Sequence, residues 1–376
     1  LLFPQLSMRM GMNKREVETP APLVDWGRME ENIRRMAGVA RKAGVRLRPH
    51  IKTHKSPAIA RRAIELGAEG VTAAKLGEAE VMAAGGIDDI LLAYPVVGEE
   101  KLRRYLDLNE RVRMACTTDS FEVAEGLSAA ASARGQSVRL FVEIDSGLKR
   151  MGLPPGEEVV ALVRRIADLP GIRFTGVLTH GGMDRGVKSL DDLPDMARQE
   201  SGACLESARL LRESGFEVEE VSVGSTPLAR FGGAPGVTEL RPGTFVFYDV
   251  SMVSMGAASY EDCAYTILTT VVSRHRDRLV VDAGVKSLSS DRIASQFTPP
   301  GFGVVVGHPH LRLDRMSEEH GVLVPQGEGP LPKIGEKIEI IPNHVCSSVN
   351  LHDKLYITEN GEVVDELPVE GRGRTV

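Results

Sequence analysis

The segment RPHIKTHKSP, residues 48–57, concentrates two lysines, two histidines and one arginine in a short stretch of sequence. A lysine amine that is partly shielded from water can form a Schiff base with a carbonyl compound. Alternation along a predicted strand directs Lys52 towards the mouth of a barrel, whereas Lys55 falls in the following loop and is predicted to be a solvated surface charge. We therefore assign the reactive amine to Lys52.

Two turns of small residues provide candidate binding groups for a phosphate. The first is VGST, which contains Gly224, Ser225 and Thr226, and the second is RPGT, residues 241–244. Backbone N–H groups and hydroxyls in such turns bind phosphate oxygens. His180, at the end of another predicted strand, is a candidate partner for a flat ring. Together with a reactive lysine, these groups are the set that pyridoxal phosphate (PLP) requires.

A separate constellation lies in IIPNHVCSSVNLHD, where His344 and Cys346 are two residues apart. On a predicted strand, residues at this spacing face the same side. An imidazole and a thiolate that project together can bind a zinc-like metal, and two protein ligands leave positions open for water or substrate. The pattern therefore indicates a catalytic metal site, with a purely structural histidine and cysteine as the alternative. His320 and His352 are possible neighbours, each interpreted as a local hydrogen-bonding residue.

The elements that must position these residues alternate between short strands and amphipathic helices. Eight strands precede residue 250, and most of the connections between them have a helical pattern. Such alternation implies parallel strands, which predicts a TIM-like (β/α)8 barrel over residues 24–250 rather than an open doubly wound sheet. Active-site residues of such barrels follow the strand ends, where we find Lys52, Lys75, Tyr94, Asp119, Asp145, His180, Ser225 and Thr226.

The texture of the sequence changes after residue 250. Short alternating strands follow one another, separated by turns rich in glycine, proline and asparagine. This pattern predicts a C-terminal antiparallel β-domain over residues 251–376, which carries the metal pair. Residues 1–23 are predicted to join that domain.

Composition excludes several classes of partner. The net charge is −6 and the basic residues are scattered, which argues against a nucleic-acid or anionic-membrane surface. The cysteines show no disulfide framework, which favours the reducing cytoplasm. We find no apolar run of the ~18 residues expected of a membrane helix, and the N-terminal segment does not have the pattern of a signal peptide.

Several motifs, taken in order, resemble those of the D-threonine aldolase and D-serine dehydratase family, whose members are PLP enzymes built on the alanine-racemase (fold-type III) barrel. The resemblance covers roughly residues 18–374. The motifs are RPHIKTHKSP, EIDSGLKRMGL, GVLTHGG, VSVGSTP, ELRPGTFVFYD, VVDAGVKSLSSD, SEEHG and PNHVCSSVNLHD.

The resemblance implies a homodimer with active sites near the subunit interface, and it assigns roles residue by residue. Lys52 matches the Schiff-base lysine, and His344 and Cys346 match a metal pair. The other cofactor-binding positions that it implies are Arg150 beside the phenolic oxygen, His180 close to the ring, Ser225, Thr226, Gly243 and Thr244 around the phosphate, and Arg241 facing the pyridine nitrogen.

The activity that the resemblance implies is that of a lyase acting on D-3-hydroxy amino acids. We favour retro-aldol cleavage of D-threonine-like substrates to glycine and an aldehyde, with His180 or a water as base. The alternative is a D-serine or D-3-hydroxyaspartate dehydratase that gives a 2-oxo acid and ammonia, with Lys52 taking the α-proton. Two further alternatives are an amino-acid racemase, whose second base would be one of Tyr248, Tyr260, Tyr265 and Tyr356, and a non-catalytic PLP-binding protein.

Cys346 bears on both the metal and the activity. Some D-threonine aldolases have a carboxylate at the matching position, whereas D-serine dehydratases have a cysteine. A thiolate favours zinc, while manganese and magnesium suit carboxylate sites. The runs NLHDKLY and GEVVDELPVEGRGR instead resemble the aldolase branch.

Overall fold

The computed structural model describes residues 11–181, 189–292 and 299–376. Two compact units are present, each taken over its described residues. The β-domain unit comprises Leu1–Ile33, Thr53–Ser56 and Thr244–Gly373, and the barrel unit comprises Arg34–Lys52, Pro57–Gly243 and Arg374–Val376. The division of the sequence at residue 250 stays a prediction.

The strands in chain order are β1 Met12–Asn13, β2 Ala21–Asp25, β3 Arg46–Leu47, β4 Val71–Ala73, β5 Asp89–Leu92, β6 Arg113–Thr118, β7 Val138–Ile144, β8 Ile172–Thr179, β9 Glu220–Val223, β10 Glu239–Leu240, β11 Tyr265–Arg274, β12 Leu279–Val281, β13 Gly303–Val305, β14 Leu311–Met316, β15 Gly321–Pro325, β16 Lys337–Pro342, β17 Lys354–Glu359 and β18 Glu362–Pro368.

The α-helices are α1 Trp26–Ala43, α2 Pro57–Glu65, α3 Leu76–Ala84, α4 Glu99–Asn109, α5 Phe121–Ala133, α6 Glu157–Ile166, α7 Leu193–Glu213, α8 Thr226–Ala229, α9 Val250–Ser254, α10 Val285–Leu288 and α11 Val345–Val349. Single 3-10 turns occupy Lys14–Glu16, Leu190–Asp192, Thr244–Val246 and Tyr260–Asp262. None of the described helices is both long and apolar enough to cross a bilayer.

The barrel unit contains a sheet of eight strands in the order β3-β10-β9-β8-β7-β6-β5-β4. Every neighbouring pair in it is parallel. A parallel bridge between His50 and Thr72 joins the two ends of this order. There the Ile51 N–H donates to the Thr72 carbonyl and the Thr72 N–H donates to the Pro49 carbonyl, both at 2.8 Å. The prediction of a barrel is therefore confirmed.

Helix α6 is an example of how the sequence builds the outer layer of the barrel unit. Glu157 and Glu158 lie in its first turn and Arg164 and Arg165 in its last, which complements the helix dipole. One face carries the buried residues Val159, Val160, Leu162, Val163 and Ile166. Burial of this face, rather than intrinsic helix propensity, supplies most of the helix's stability.

The first barrel strand is shorter than predicted. We expected it to run to Lys52, but β3 ends at Leu47 and residues 51–54 form a turn. The backbone N–H groups of Arg48 and His50 still donate to the carbonyls of Leu240 and Pro242 on the adjacent segment of the barrel. Because prolines lack an N–H, Pro49 and Pro242 cannot complete the ladder. Lys52 thus lies in a turn, and strand alternation does not determine its direction.

The β-domain unit contains a sheet of ten strands in the order β1-β18-β17-β2-β11-β12-β15-β14-β13-β16, with an additional pairing between β11 and β16. Its neighbouring strands are antiparallel, except that β17 and β2 are parallel. The antiparallel character of the C-terminal domain agrees with the prediction. One core cluster of this unit consists of Val17, Ala21, Leu23, Leu268 and Val363.

Candidate active site

The two lysines of the first motif occupy different environments. Lys52 is half-buried in the turn after the barrel seam, and its backbone N–H lies 3.4 Å from His50 Nδ1. Lys55 is 7% exposed, and its ammonium donates to the Gly371 carbonyl at 3.5 Å. The prediction of a solvated Lys55 is therefore wrong, because a distant part of the β-domain unit covers it.

His180 follows β8 as a half-buried, neutral imidazole. Its Nδ1 lies 3.0 Å from the Gly224 carbonyl oxygen, which only accepts, so Nδ1 carries the proton and Nε2 does not. Burial, followed by the charges of Lys52 and Arg150, lowers the pKa of His180 to about 3. At neutral pH this ring presents an unprotonated Nε2, which accepts a hydrogen bond well but is a weak base.

Cationic groups cluster around the two histidines of the barrel unit. Burial, followed by Lys52, His180, Arg241 and Arg150, holds the pKa of His50 well below its usual range. Arg150 is 53% exposed and lies 3.9 Å from a Glu143 oxygen. Cations in this region lie beside imidazoles that are uncharged at neutral pH. Such a region is suited to a ligand that carries a phosphate and an anionic ring oxygen.

Residues 224–226 of the first predicted phosphate turn and 241–243 of the second lie together in the barrel unit. The Thr226 hydroxyl accepts a hydrogen bond from the Gly243 N–H at 3.3 Å. Gly224 has φ +132°, and a Cβ there would approach the Arg241 nitrogen to 2.8 Å. The buried hydroxyl of Ser225 has no hydrogen-bond partner among the described residues. An unpartnered hydroxyl on a turn that only glycine can form fits a bound phosphate.

The side chain of Arg241 is directed into the barrel interior. It is 5% exposed and donates to the Thr179 carbonyl at 2.6 Å and to the Ser222 hydroxyl. Ser222 in turn donates to Glu239 at 2.6 Å. Burial lowers the pKa of Arg241. These contacts fix the guanidinium firmly, and its role opposite a pyridine nitrogen stays a prediction.

Glu200 on α7 is a site residue that the sequence reasoning missed. It is 4% exposed and accepts from the Gly181 N–H at 2.7 Å, while the Gly224 backbone also donates to it. Burial raises its pKa to about 7. It therefore supports the backbone on either side of the His180–Gly224 hydrogen bond. The available signal was a glutamate placed within the buried stripe of an amphipathic helix.

Other strand-end candidates make local contacts. The Lys75 ammonium lies 4.0 Å from the centre of the Tyr94 ring, a cation–π contact. Asp119 accepts from the Gly152 N–H at 2.8 Å. Asp145 accepts from the N–H groups of two residues in its own loop, at 2.9 and 3.0 Å. The two aspartates shape the loop after β7.

His344 and Cys346 come together at the start of a helix rather than on a strand. Strand β16 ends at Pro342, His344 is the N-cap of α11, and Cys346 lies in the first turn of that helix. Our prediction of a strand here is wrong, because the Asp249 carboxylate accepts from the Val345 N–H at 2.9 Å and thereby initiates a helix. The two side chains nevertheless hydrogen-bond, and the Cys346 thiolate raises the pKa of His344 to about 11.

Three oxygen-bearing side chains of the β-domain unit surround this pair. The Thr53 hydroxyl lies 3.2 Å from the Cys346 sulfur, and the Thr244 hydroxyl lies 3.9 Å from it. Asp249 Oδ2 lies 3.3 Å from His344 Nδ1. Thr244, predicted to bind phosphate, therefore also borders the metal pair. Thr53 and Asp249 were missed because their contacts involve residues far away in the sequence.

An imidazole and a thiolate in contact form a donor set that suits zinc. Within residues 11–181, 189–292 and 299–376, no group of three or more histidine, cysteine, aspartate or glutamate side chains has metal-binding geometry. His352 donates to the Ser287 carbonyl at 3.0 Å, consistent with its interpretation as a hydrogen-bonding residue. His320 is exposed. The chemistry of the pair fits a metal with open coordination positions.

Comparisons with known proteins agree with this geometry. The family descriptions "Alanine racemase, N-terminal domain" and "Putative serine dehydratase domain" match residues 24–250 and 264–358. D-threonine aldolase from Arthrobacter sp. is 32% identical over 95% of this chain and 93% of its own length. D-threo-3-hydroxyaspartate dehydratase from Delftia sp. is 34% identical over 88% of this chain and 92% of its own.

A solved structure adds information about a metal. It is a D-threo-3-hydroxyaspartate dehydratase variant with one cysteine replaced by alanine, in a metal-free form. Its TM-score to this chain is 0.89 at 31% identity, covering 95% of this chain and 98% of that one. Because the match covers 95% of this chain, the similarity extends over both of its units.

Proposed function

This chain belongs to the family of D-threonine aldolases and D-3-hydroxyaspartate dehydratases with an alanine-racemase-type barrel, and we propose that it is a PLP-dependent lyase of D-3-hydroxy amino acids. One observation carries the proposal. Lys52 lies half-buried in a turn next to His50, and its charge contributes to lowering the pKa of two half-buried imidazoles, His50 and His180. An amine in such a setting is suited to covalent attachment of the cofactor.

PLP, when bound, supplies an electron sink for the pair left on Cα when a bond to that atom breaks. In our proposal Lys52 holds the cofactor, His180 presents its ring to it, and Arg150 neutralises its ring oxygen. Phosphate binding is assigned to the small-residue turns, and the pyridine nitrogen to Arg241. The phosphate-binding residues are Gly224, Ser225, Thr226, Gly243 and Thr244.

His344 and Cys346 are proposed to hold a divalent metal, which would supply Lewis-acid polarisation of the substrate's 3-hydroxyl. The thiolate favours zinc, with manganese or magnesium as alternatives. The metal-free cysteine variant of the related dehydratase supports a cysteine ligand.

The reaction that we propose is retro-aldol cleavage. The 3-hydroxyl proton passes to a base, the Cα–Cβ bond breaks, and Cα takes up a proton, so that D-threonine yields acetaldehyde and glycine. Unprotonated Nε2 of His180 is the candidate acceptor. Because the pKa of His180 is about 3, that nitrogen serves best in passing the proton on to water. The aldolase relative that aligns with 95% of this chain supports this direction.

Dehydration is the second candidate, and Cys346 is the observation that favours it. The dehydratase relative is 34% identical, and the metal-free cysteine variant belongs to an enzyme of that name. In this reaction Lys52 removes the α-proton and the 3-hydroxyl departs as water. Hydrolysis of the product then gives a 2-oxo acid and ammonia.

A two-product assay tests the proposal. The PLP- and zinc-loaded protein is incubated with D-threonine, and acetaldehyde, glycine and 2-oxobutanoate are measured together. We expect acetaldehyde and glycine in equal amounts. Formation of 2-oxobutanoate alone would assign the dehydratase activity. Interconversion of D- and L-threonine alone would assign a racemase, and the absence of any product would indicate a non-catalytic PLP-binding protein. D-Serine and D-3-hydroxyaspartate are tested in parallel to identify the side chain.

We also propose a cytoplasmic homodimer. No disulfide joins the four cysteines, all of which lie in the described part of the chain, as expected in a reducing compartment. Light scattering on the eluting protein measures the mass directly. A mass of one chain at micromolar concentration contradicts the dimer.

A further inference from the structure

Asp249 is a buried carboxylate with two separate sets of contacts. It is 0% exposed. Its Oδ1 accepts from the Met252 N–H at 2.9 Å and caps helix α9. Its Oδ2 accepts from the Val345 N–H at 2.9 Å and lies 3.3 Å from Nδ1 of His344. One oxygen therefore serves a local helix, and the other serves the segment that carries the metal pair.

An ionised carboxylate only accepts hydrogen bonds, so a ring nitrogen that faces it must donate. Because Nδ1 keeps its proton towards the carboxylate, Nε2 on the other side of the ring is the nitrogen that would exchange its proton for a metal. Histidine ligands of metals are commonly oriented by a carboxylate in this manner. Since Val345 lies between the two proposed ligands, the bond from its N–H also fixes the backbone that connects them.

We propose that Asp249 is the positioning residue of the metal site: it sets the tautomer and orientation of His344 so that Nε2 faces a divalent metal. This role rests on the proposed metal pair and deepens it. We assign Asp249 to positioning rather than to ligation, because its oxygens face the N–H donors of Met252, Val345 and His344 and no described group of three or more such side chains has metal-binding geometry.

Two substitutions separate this role from capping. Asp249→Ser retains a side chain that caps α9 well but removes the second oxygen. Asp249→Asn keeps the shape and directs an NH2 group at donors that need an acceptor. Both variants are expected to bind zinc ~10–100-fold more weakly, the range found for the loss of such a partner. Zinc affinity is measured on the PLP-loaded protein by competition with a chromophoric chelator.

Three controls complete the experiment. Ser120→Ala removes an N-cap from α5, where the Ser120 hydroxyl accepts from the Val123 N–H at 3.4 Å, and should leave zinc affinity unchanged. The zinc affinity of His344→Ala gives the value expected when this proposed metal ligand is missing. PLP content and thermal midpoint are recorded for every variant, because loss of fold lowers both, whereas loss of positioning lowers zinc affinity alone.

Wild-type zinc affinity in a folded Asp249→Ser protein would overturn the proposal. If wild-type protein and His344→Ala bind zinc equally, the metal pair itself is wrong, and the role of Asp249 is overturned with it. PLP binding by Lys52 is judged separately, so that result leaves the cofactor part of the proposed function standing.

Discussion

The hydroxyl oxygen of Thr53 lies 3.2 Å from the sulfur of Cys346, and Thr53 directly follows Lys52 in the chain. A residue bonded to the proposed cofactor lysine thus contacts a proposed metal ligand. A hydrogen bond from this hydroxyl stabilises a thiolate, which is the form of cysteine that binds metals.

Thr53→Val is expected to weaken zinc binding. Valine keeps the branched shape but removes the donor, and a hydrogen bond to a charged group contributes about 1.5–3 kcal/mol, or roughly 10–100-fold in affinity. Thr53→Ser retains the hydroxyl and should bind zinc within a few-fold of wild type. Chelator competition on PLP-loaded protein measures both. Equal affinities for the valine and serine variants would contradict the hydrogen bond.

Lys52→Ala is expected to abolish covalent attachment of PLP and to lower the lyase rate by at least ~1,000-fold, because the amine is the proposed attachment point of the cofactor. Absorbance of the lysine-bound cofactor and borohydride fixation of label on the peptide that contains residue 52 are the measurements. Lys55→Met is the matched control, since Lys55 donates to a backbone carbonyl instead. Survival of the absorbance band in Lys52→Ala rules out this lysine.

Glu200→Gln is expected to weaken PLP binding about 10-fold and to reduce stability by ~1–3 kcal/mol. Two backbone N–H groups, those of Gly181 and Gly224, point at the carboxylate, and glutamine offers only one oxygen to them. Glu206→Gln, on the exposed side of the same helix, is the control, because a surface ion pair contributes little. PLP affinity by equilibrium dialysis and urea unfolding check the prediction. A PLP affinity of Glu200→Gln equal to that of wild type in equilibrium dialysis would refute this prediction.

His54 predicts an acid-sensitive fold. It is completely buried, its Nδ1 accepts from the Ser56 N–H at 3.2 Å, and burial lowers its pKa to about 3. The unfolded chain binds the proton at a pKa of about 6.5, so the stabilisation from neutral His54 is complete above that pH and is lost as the pH falls towards 3.

Linkage gives a loss of up to ~3 kcal/mol by pH 4 for this group alone. His54→Gln should therefore lose less free energy of unfolding than wild type between pH 7 and pH 4. Urea unfolding at both pH values measures the difference, and His275→Gln, which changes an exposed histidine, is the control. Parallel pH dependences for wild type and His54→Gln would show that this imidazole does not titrate on unfolding.

Cys346→Asp is expected to change the metal preference. A carboxylate is a harder ligand than a thiolate, so zinc affinity should fall while manganese supports a larger share of the activity. Activity and bound metal are measured after reconstitution with each ion separately. An unchanged order of metals would remove Cys346 from the ligand set.

The barrel could be predicted because strand number and helical period are local properties of the sequence. The length of its first strand could not, since β3 is cut short by two prolines, Pro49 and Pro242, that come from separate parts of the chain. Burial of Lys55 depends on Gly371, which is 316 residues away. No local pattern records such a contact.

The same distinction between local patterns and long-range contacts applies to the candidate site. The small-residue turns around Gly224 and Gly243 could be read locally, because glycine and hydroxyl residues mark a phosphate loop by type. His344 and Cys346 do contact each other, but at the start of a helix and not on the predicted strand, and their role as metal ligands stays a prediction. Asp249 and Glu200 are single acidic residues whose importance depends on which backbone N–H groups reach them, and the sequence does not specify that.

The bridge between His50 and Thr72 closes the ring of parallel strands, and Lys52 lies two residues beyond it. We expect the ring of strands to open first at this bridge, and transient opening there would move the Lys52 amine out of its position. Deuterium uptake at the amides of Ile51 and Thr72 therefore reports how often the bridge opens. A ligand bound covalently to Lys52 should hold this bridge closed, so the ligand-loaded protein is expected to exchange these two amides more slowly.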